Sequence, residues 1–149
     1  MKFIDQLKEK AKQNKKTIVL PETSDMRTIE AAGKVLAEGI ANIILVGDKE
    51  DIMSRAGDID LSGASFVDPK NYEKFDEYVD AFVEMRRKKG MTEARAKELL
   101  LTNPLYFGCM MVKQDDADGM VAGAINASAD VLRAALQTLK TAPGTRIVS

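Results

Sequence analysis

The chain has 149 residues, 22 Lys and Arg against 23 Asp and Glu, one cysteine and no histidine. That length suits one domain with a real core, and a net charge of −1 argues against a polybasic tail for nucleic acid or a membrane surface while leaving room for a local basic site. The missing histidine removes Ser-His-Asp triads, HExxH zinc sites and imidazole acid–base chemistry from this chain, and one cysteine allows no internal disulfide. Carboxylate, guanidinium, amine, hydroxyl and backbone N–H groups remain to carry any chemistry. The first residues lack the apolar core of a signal peptide and no stretch approaches 18 apolar residues, so a cytoplasmic location is expected.

In chain order, residues 2 to 13 set Phe3, Ile4, Leu7 and Ala11 on one stripe of a Lys-rich surface helix. Thr17-Ile18-Val19-Leu20, closed by Pro21, is an apolar run without alternation, which predicts a parallel strand covered on both faces. Ser24 or Asp25 caps a helix from about Met26 to Gly39, with Ile29, Ala32, Leu36 and Ile40 as its apolar stripe. Ile43-Ile44-Leu45-Val46 is a second such strand, and Asp48 caps a short helix to about Arg55. Ala64-Ser65-Phe66-Val67 is a weaker third strand, ended by Asp68-Pro69.

A long helix is expected from about Tyr72 to Lys88, with Tyr72, Phe75, Val79 and Phe82 on one face and Gly90 as its stop. Thr92 caps a helix to about Leu101, and Asn103-Pro104 opens another to about Lys113. Asp118 to Gly123 reads as a fourth strand, its glycine marking close backbone approach. Ser128 opens a helix through about Lys140, and Arg146-Ile147-Val148-Ser149 reads as a fifth strand. This alternation argues a three-layer αβα fold around a mainly parallel sheet. Ending on a strand pattern with no covering helix suggests a domain missing its final elements.

Residues 48–80 hold ten acidic and four basic side chains, a solvated acidic face, whereas residues 84–97 hold six basic and two acidic. Within the second group, Arg86-Arg87-Lys88-Lys89 sits at a helix C-terminus, where cations are favoured with nothing bound. Alternatively one arginine turns inward to clamp a phosphate or carboxylate. Spacing does not choose which. A better candidate runs from Gly123 to Arg133: a loop after a strand, at the carboxyl edge of the sheet, opening a helix whose N–H groups favour anions. Ser128 as a cap and an Asp130–Arg133 helix pair are compatible with Arg133 reaching that loop. Asp25 and Arg27, in the loop after the first strand, support a helix start. Neither common nucleotide-binding glycine motif is present, and Cys109, Met110 and Met111 read as core fillers.

Four segments together resemble the phosphate acetyltransferases, which exchange acetyl groups between coenzyme A and inorganic phosphate. They are Ile18-Val19-Leu20-Pro21-Glu22 with Asp25 and Arg27, then Phe82 to Gly90, then Tyr106 to Lys113 leading to Ala117 through Ala124, and finally Ser128 to Arg133 through Leu139 to Gly144. The resemblance implies two α/β domains akin to those of the isocitrate and isopropylmalate dehydrogenases, with the active site in the cleft between them. Residues 1–149 would then be an incomplete N-terminal domain, without the second domain and the returning C-terminal segment. It further implies that Arg86 and Arg133 bind phosphate or acyl phosphate and are catalytic, and that Ser128 is a substrate-binding hydroxyl. Coenzyme A enters as a substrate, with no tightly bound cofactor and no metal. Phosphate, acetyl phosphate and acetyl-CoA are the expected small-molecule partners and a homodimer the expected assembly, with no nucleic acid and no membrane. The proton-abstracting aspartate, a serine and a further arginine would lie outside this chain, leaving it inactive alone. Asn126, Ala127, Ser128 and Ala134 depart from the family's usual histidine, serine, threonine and proline. Butyryl transfer and a non-catalytic anion-binding domain are the alternatives.

Overall fold

The computed structural model describes residues 2–139. Helix α1 (Phe3–Gln13) leads to strand β1 (Thr17–Leu20), α2 (Met26–Glu38), β2 (Asn42–Val46), α3 (Lys49–Ala56) and β3 (Ser65–Val67). Helices α4 (Phe75–Arg86), α5 (Glu93–Thr102) and α6 (Pro104–Lys113) follow, then β4 (Gly119–Met120) and α7 (Ser128–Thr138). The strands form one wholly parallel sheet in the order β3-β2-β1-β4. In register, Val19 faces Ile44 of β2 on one side and Met120 of β4 on the other.

Unalternating strands arise here because both faces of the sheet are covered. Leu20, Ile43 and Leu45 join Ile29 and Ala32 of α2 and Ile52 of α3 in one core. Val19, Ile44 and Val46 face the other way, into a larger core built by α4, α5, α6 and α7. Phe107 is fully buried there, 5.7 Å from the Tyr72 ring and 5.5 Å from Tyr78, while Phe82 stacks on Tyr106 at 5.8 Å. Helix α1 buries no residue and is tied to α2 by the Lys8–Glu38 ion pair at 2.7 Å. Among the described residues no helix is long and apolar enough to cross a membrane.

Caps set most of the boundaries. The side chains of Asp25, Asp48, Thr92 and Asn103 each accept a backbone N–H at the start of α2, α3, α5 and α6. Gly39 ends α2 at φ +66°, so Ile40 lies beyond the helix it was expected to join. The α4 helix begins at Phe75 instead of Tyr72. Asp68 takes the Lys70 N–H and turns Pro69–Asn71 into a short 3₁₀ segment first, and Tyr72 reaches the core from outside the helix. Helix α4 also tightens into a 3₁₀ turn at Arg87–Lys89 before Gly90 at φ +83°.

Two expectations around residue 120 need correction. Strand β4 spans two residues instead of six, because after the Val121 N–H bonds to Val19 O at 3.1 Å the next amides turn away from β1. Ser128 does not cap α7: Ala127 holds the cap position with no side-chain hydrogen bond, and Ser128 is the first helical residue. The proposed strand at 146–149 lies outside the described residues.

Candidate active site at the carboxyl edge of the sheet

Strand order reverses between β1 and β4, since β1, β2 and β3 progress in one direction and β4 returns to the other side of β1. In parallel sheets the loops leaving such a pair diverge and open a crevice at the carboxyl edge. Here the two loops are residues 21–25 and 121–127, and a single side chain joins them. Glu22, 4% exposed, accepts the Gly123 and Ala124 N–H groups on Oε1 at 2.6 and 2.9 Å. Its Oε2 accepts the Ile125 and Asn126 N–H groups at 3.0 and 2.9 Å and the Asn126 side-chain amide at 2.9 Å. Burial pushes this carboxyl upward, but donation from the Asn126 backbone and side chain, Ala124 and Ile125 outweighs it and holds the pKa at about 2. Gly123 makes the wrap feasible at φ +117°, which favours glycine.

A second contact grips the same loop. Asp25 accepts the Arg27 backbone N–H at 2.8 Å and pairs with its guanidinium at 2.6 Å. The same Arg27 nitrogen donates to Ala124 O at 2.6 Å. Asp25 and Arg27 therefore do more than start a helix: together with Glu22 they hold both the N–H and the C=O side of residues 123–126.

Of the basic run at the end of α4, Arg86 is the arginine that turns inward, its Nε buried without a hydrogen-bond partner among the described residues. Arg87 stays in water and pairs with Glu84 at 2.6 Å. Arg133 projects from the middle of α7, largely exposed, and pairs with Asp130 at 3.1 Å. Tyr106 is buried and stacks on Phe82 of α4. Burial raises its phenol, while the positive charges of Arg133, Arg86 and Arg95 oppose that rise. Its hydroxyl donates to Gln137 on α7 at 2.9 Å. Ser128 sits exposed at the open N-terminus of the same helix.

Beside Glu22 and Asn126 lies a groove of about 410 Å³ that also touches Ser24, Asp48, Asp68 and Lys70. A larger cavity of about 600 Å³ lies between α2 and residues 59–63, at the amino edge of the sheet, and contacts none of the candidate side chains. The smaller groove lies at the carboxyl ends of the strands, where ligands meet parallel sheets, but Arg86, Ser128 and Arg133 do not line it. Among the described residues no group of three or more His, Cys, Asp or Glu is placed to hold a metal ion.

A family model described as phosphate acetyl/butaryl transferase matches residues 2–149. The chain belongs to that family. It is 52% identical over 149 residues to a phosphate acetyltransferase of Acetivibrio thermocellus, covering all of this chain and 45% of that relative. A phosphotransacetylase structure from Streptococcus pyogenes superposes with a TM-score of 0.87 at 36% identity, over 99% of this chain and 46% of that one. The EutD phosphotransacetylase from Staphylococcus aureus gives 0.86 at 38% identity, over 97% and 44%. The chain thus spans less than half the length of these relatives.

Within this phosphate acetyl/butaryl transferase chain, the departures at 126 and 127 acquire physical meaning. The Asn126 amide supplies a donor to Glu22, so a polar group is retained where the family resemblance has histidine. Ala127 occupies the cap position of α7, where a serine hydroxyl would satisfy a helix N–H, so that end is left without a side-chain cap. Sequence reasoning missed Glu22. Its one local signal is an acid directly after a strand-ending proline, a position from which it leaves the sheet edge between two loops.

Proposed function

We propose that this chain is most of the N-terminal α/β domain of a phosphate acetyltransferase, completed by a second domain and a returning C-terminal segment. The observation that carries this is the 52% identity, unbroken over all 149 residues, to the Acetivibrio thermocellus phosphate acetyltransferase. Acetyl is favoured over butyryl because that relative is named for acetyl transfer. The three-layer architecture supports the finer kinship with the first domain of the isocitrate and isopropylmalate dehydrogenases. The homodimer implied by the resemblance belongs to the same proposal, and the mass of the full-length protein in solution tests it.

In this proposal coenzyme A attacks the acetyl carbon of acetyl phosphate through its thiolate. A carbon–sulfur bond forms, the carbonyl oxygen carries the transient negative charge, and the carbon–oxygen bond to phosphorus breaks with its electron pair leaving on phosphate. The thiol proton passes to the carboxylate that the resemblance puts outside residues 1–149. Arg86 and Arg133 hold the phosphoryl oxygens, and a guanidinium fork suits that geometry. The Nε of Arg86, unpaired among the described residues, supports an inward-facing donor awaiting an acceptor, and Ser128, at the uncapped start of α7, donates its hydroxyl to the same group. Holding the anion in line with the acyl carbon converts a bimolecular encounter into an oriented one. No covalent enzyme intermediate is needed, so the absence of histidine is no obstacle.

Purified full-length protein should form acetyl-CoA from acetyl phosphate and coenzyme A and return phosphate in the reverse assay. The 149-residue chain alone should do neither, with a host-enzyme blank subtracted. A full-length protein without phosphate-dependent acetyl transfer would refute the proposal.

A further inference from the structure

We infer that Glu22 is a positioning residue for the acyl-phosphate site: its carboxylate holds residues 123–126 so that Ser128 and Arg133 face the anion bound by Arg86. This role rests on the proposed acetyl transfer and extends it to a residue that touches no substrate. Glu22 stands just beyond the end of β1, and all five of its side-chain hydrogen bonds go to residues 101 to 104 positions later in the chain. Four of the five are consecutive backbone N–H groups, which fixes the curve of the loop and not merely one point on it.

The lever from that anchor to the proposed site is short. Only Ala127 separates Asn126 from Ser128, and two residues span at most about 7 Å, so fixing Asn126 confines Ser128. Helix α7 is otherwise held in its second half, where Ala134 and Thr138 are buried and Gln137 accepts the Tyr106 hydroxyl. Its first turn, from Ser128 to Asp130, is exposed, and Leu132 and Arg133 are exposed as well. Val131 is the one side chain of that half packed against the main core, so the turn before it takes its placement from Glu22, supported by Arg27 on Ala124 O. The carboxylate has a second consequence. A row of four amides would by itself attract phosphate, but with a negative charge already in it the loop repels a second anion and leaves the substrate to the arginines.

Glu22→Gln and Glu22→Asp in the full-length enzyme test this. Glutamine keeps the shape but turns one acceptor oxygen into an N–H group that faces two backbone donors in either orientation of the amide. Aspartate keeps both oxygens on a stem one methylene shorter. The KM for acetyl phosphate should rise about 10- to 100-fold in Glu22→Gln while the KM for coenzyme A moves less than about threefold, with Glu22→Asp in between. A purely structural role would lower the amount of active enzyme and leave both KM values alone. Amide exchange at residues 123–126 should quicken in Glu22→Gln while exchange in β1 and β2 stays slow. Should Glu22→Gln fail to fold, Asn126→Ala removes one of the five donors without touching β1 and should raise the acetyl phosphate KM severalfold. Wild-type KM values in whichever variant folds would overturn the inference with acetyl transfer intact, whereas an inactive wild-type enzyme would sink the functional proposal beneath it.

Discussion

The Glu22 carboxylate should make stability depend on acid in a way that can be isolated by one substitution. Its pKa in the folded protein is about 2 against an ordinary 4.5. A depressed carboxyl pKa stabilises the fold above the unfolded value, and that stabilisation is lost as pH falls through the folded value. The difference corresponds to about 3 kcal/mol at pH 7, of which about 1 kcal/mol survives at pH 3. The carboxylates remote from residue 22 are common to wild type and Glu22→Gln, so their contributions cancel in the difference between the two.

Denaturant unfolding of both proteins at pH 7, 5, 4 and 3 supplies the measurement. Glutamine carries a pH-independent penalty of its own, because its amide N–H groups oppose the loop donors, and this sets the floor of the difference curve. Above that floor, the cost of Glu22→Gln should shrink by about 2 kcal/mol between pH 7 and pH 3, with most of the change below pH 4.5. Arg27, charged throughout this range, and Asp25, which it pairs with, are present in both proteins. A cost that stays constant with pH would show that Glu22 is not held as an ionised acceptor, and the account of the loop would fall with it.

In the full-length enzyme, Arg133→Ala should lower kcat/KM for acetyl phosphate about 10- to 100-fold, as expected for losing a charged hydrogen bond, while Arg87→Ala stays near wild type; steady-state kinetics with the reverse ranking would reverse the assignment. Truncating Phe107, fully buried between Tyr72 and Tyr78, to alanine should cost about 3–5 kcal/mol in denaturant unfolding, and a cost below about 1 kcal/mol would mean that this core is not packed as described. Gly39→Ala should cost about 1 kcal/mol, because its φ of +66° penalises a β-carbon and the side chain of Lys15 is the near neighbour at 3.8 Å; a neutral result in the same assay would contradict the left-handed cap.

How much could be read beforehand follows from where each interaction is encoded. The strands at 17–20 and 42–46 are legible because covering both faces demands apolar side chains at every position, a demand that fits within four or five consecutive residues. Helix starts are legible for a similar reason. Asp25, Asp48, Thr92 and Asn103 each accept an N–H two or three residues onward, so cap and partner are neighbours in the chain. The basic run at 86–89 is visible as composition, but which arginine points inward depends on where α4 tightens into a 3₁₀ turn. Arg87, the first residue of that turn, is exposed while Arg86 just before it has its Nε buried, and no spacing rule sets the turn's onset.

Glu22 belongs to the opposite extreme. Its partners are backbone amides more than a hundred residues away, and a backbone N–H has no letter in the sequence. Seen locally it is an acid after a proline, which is what a surface loop also looks like. The fourth strand was overextended for the same reason. Val121 and Ala122 are apolar and suit a strand, yet the amides just beyond them are drawn to the carboxylate at the end of β1 instead of continuing along β1. Where two loops leave neighbouring parallel strands at a reversal of strand order, their backbone donors need acceptors. A buried acid at the first strand's end meets that need from within the fold, so the strand pattern locates the crevice while one long-range carboxylate sets its shape.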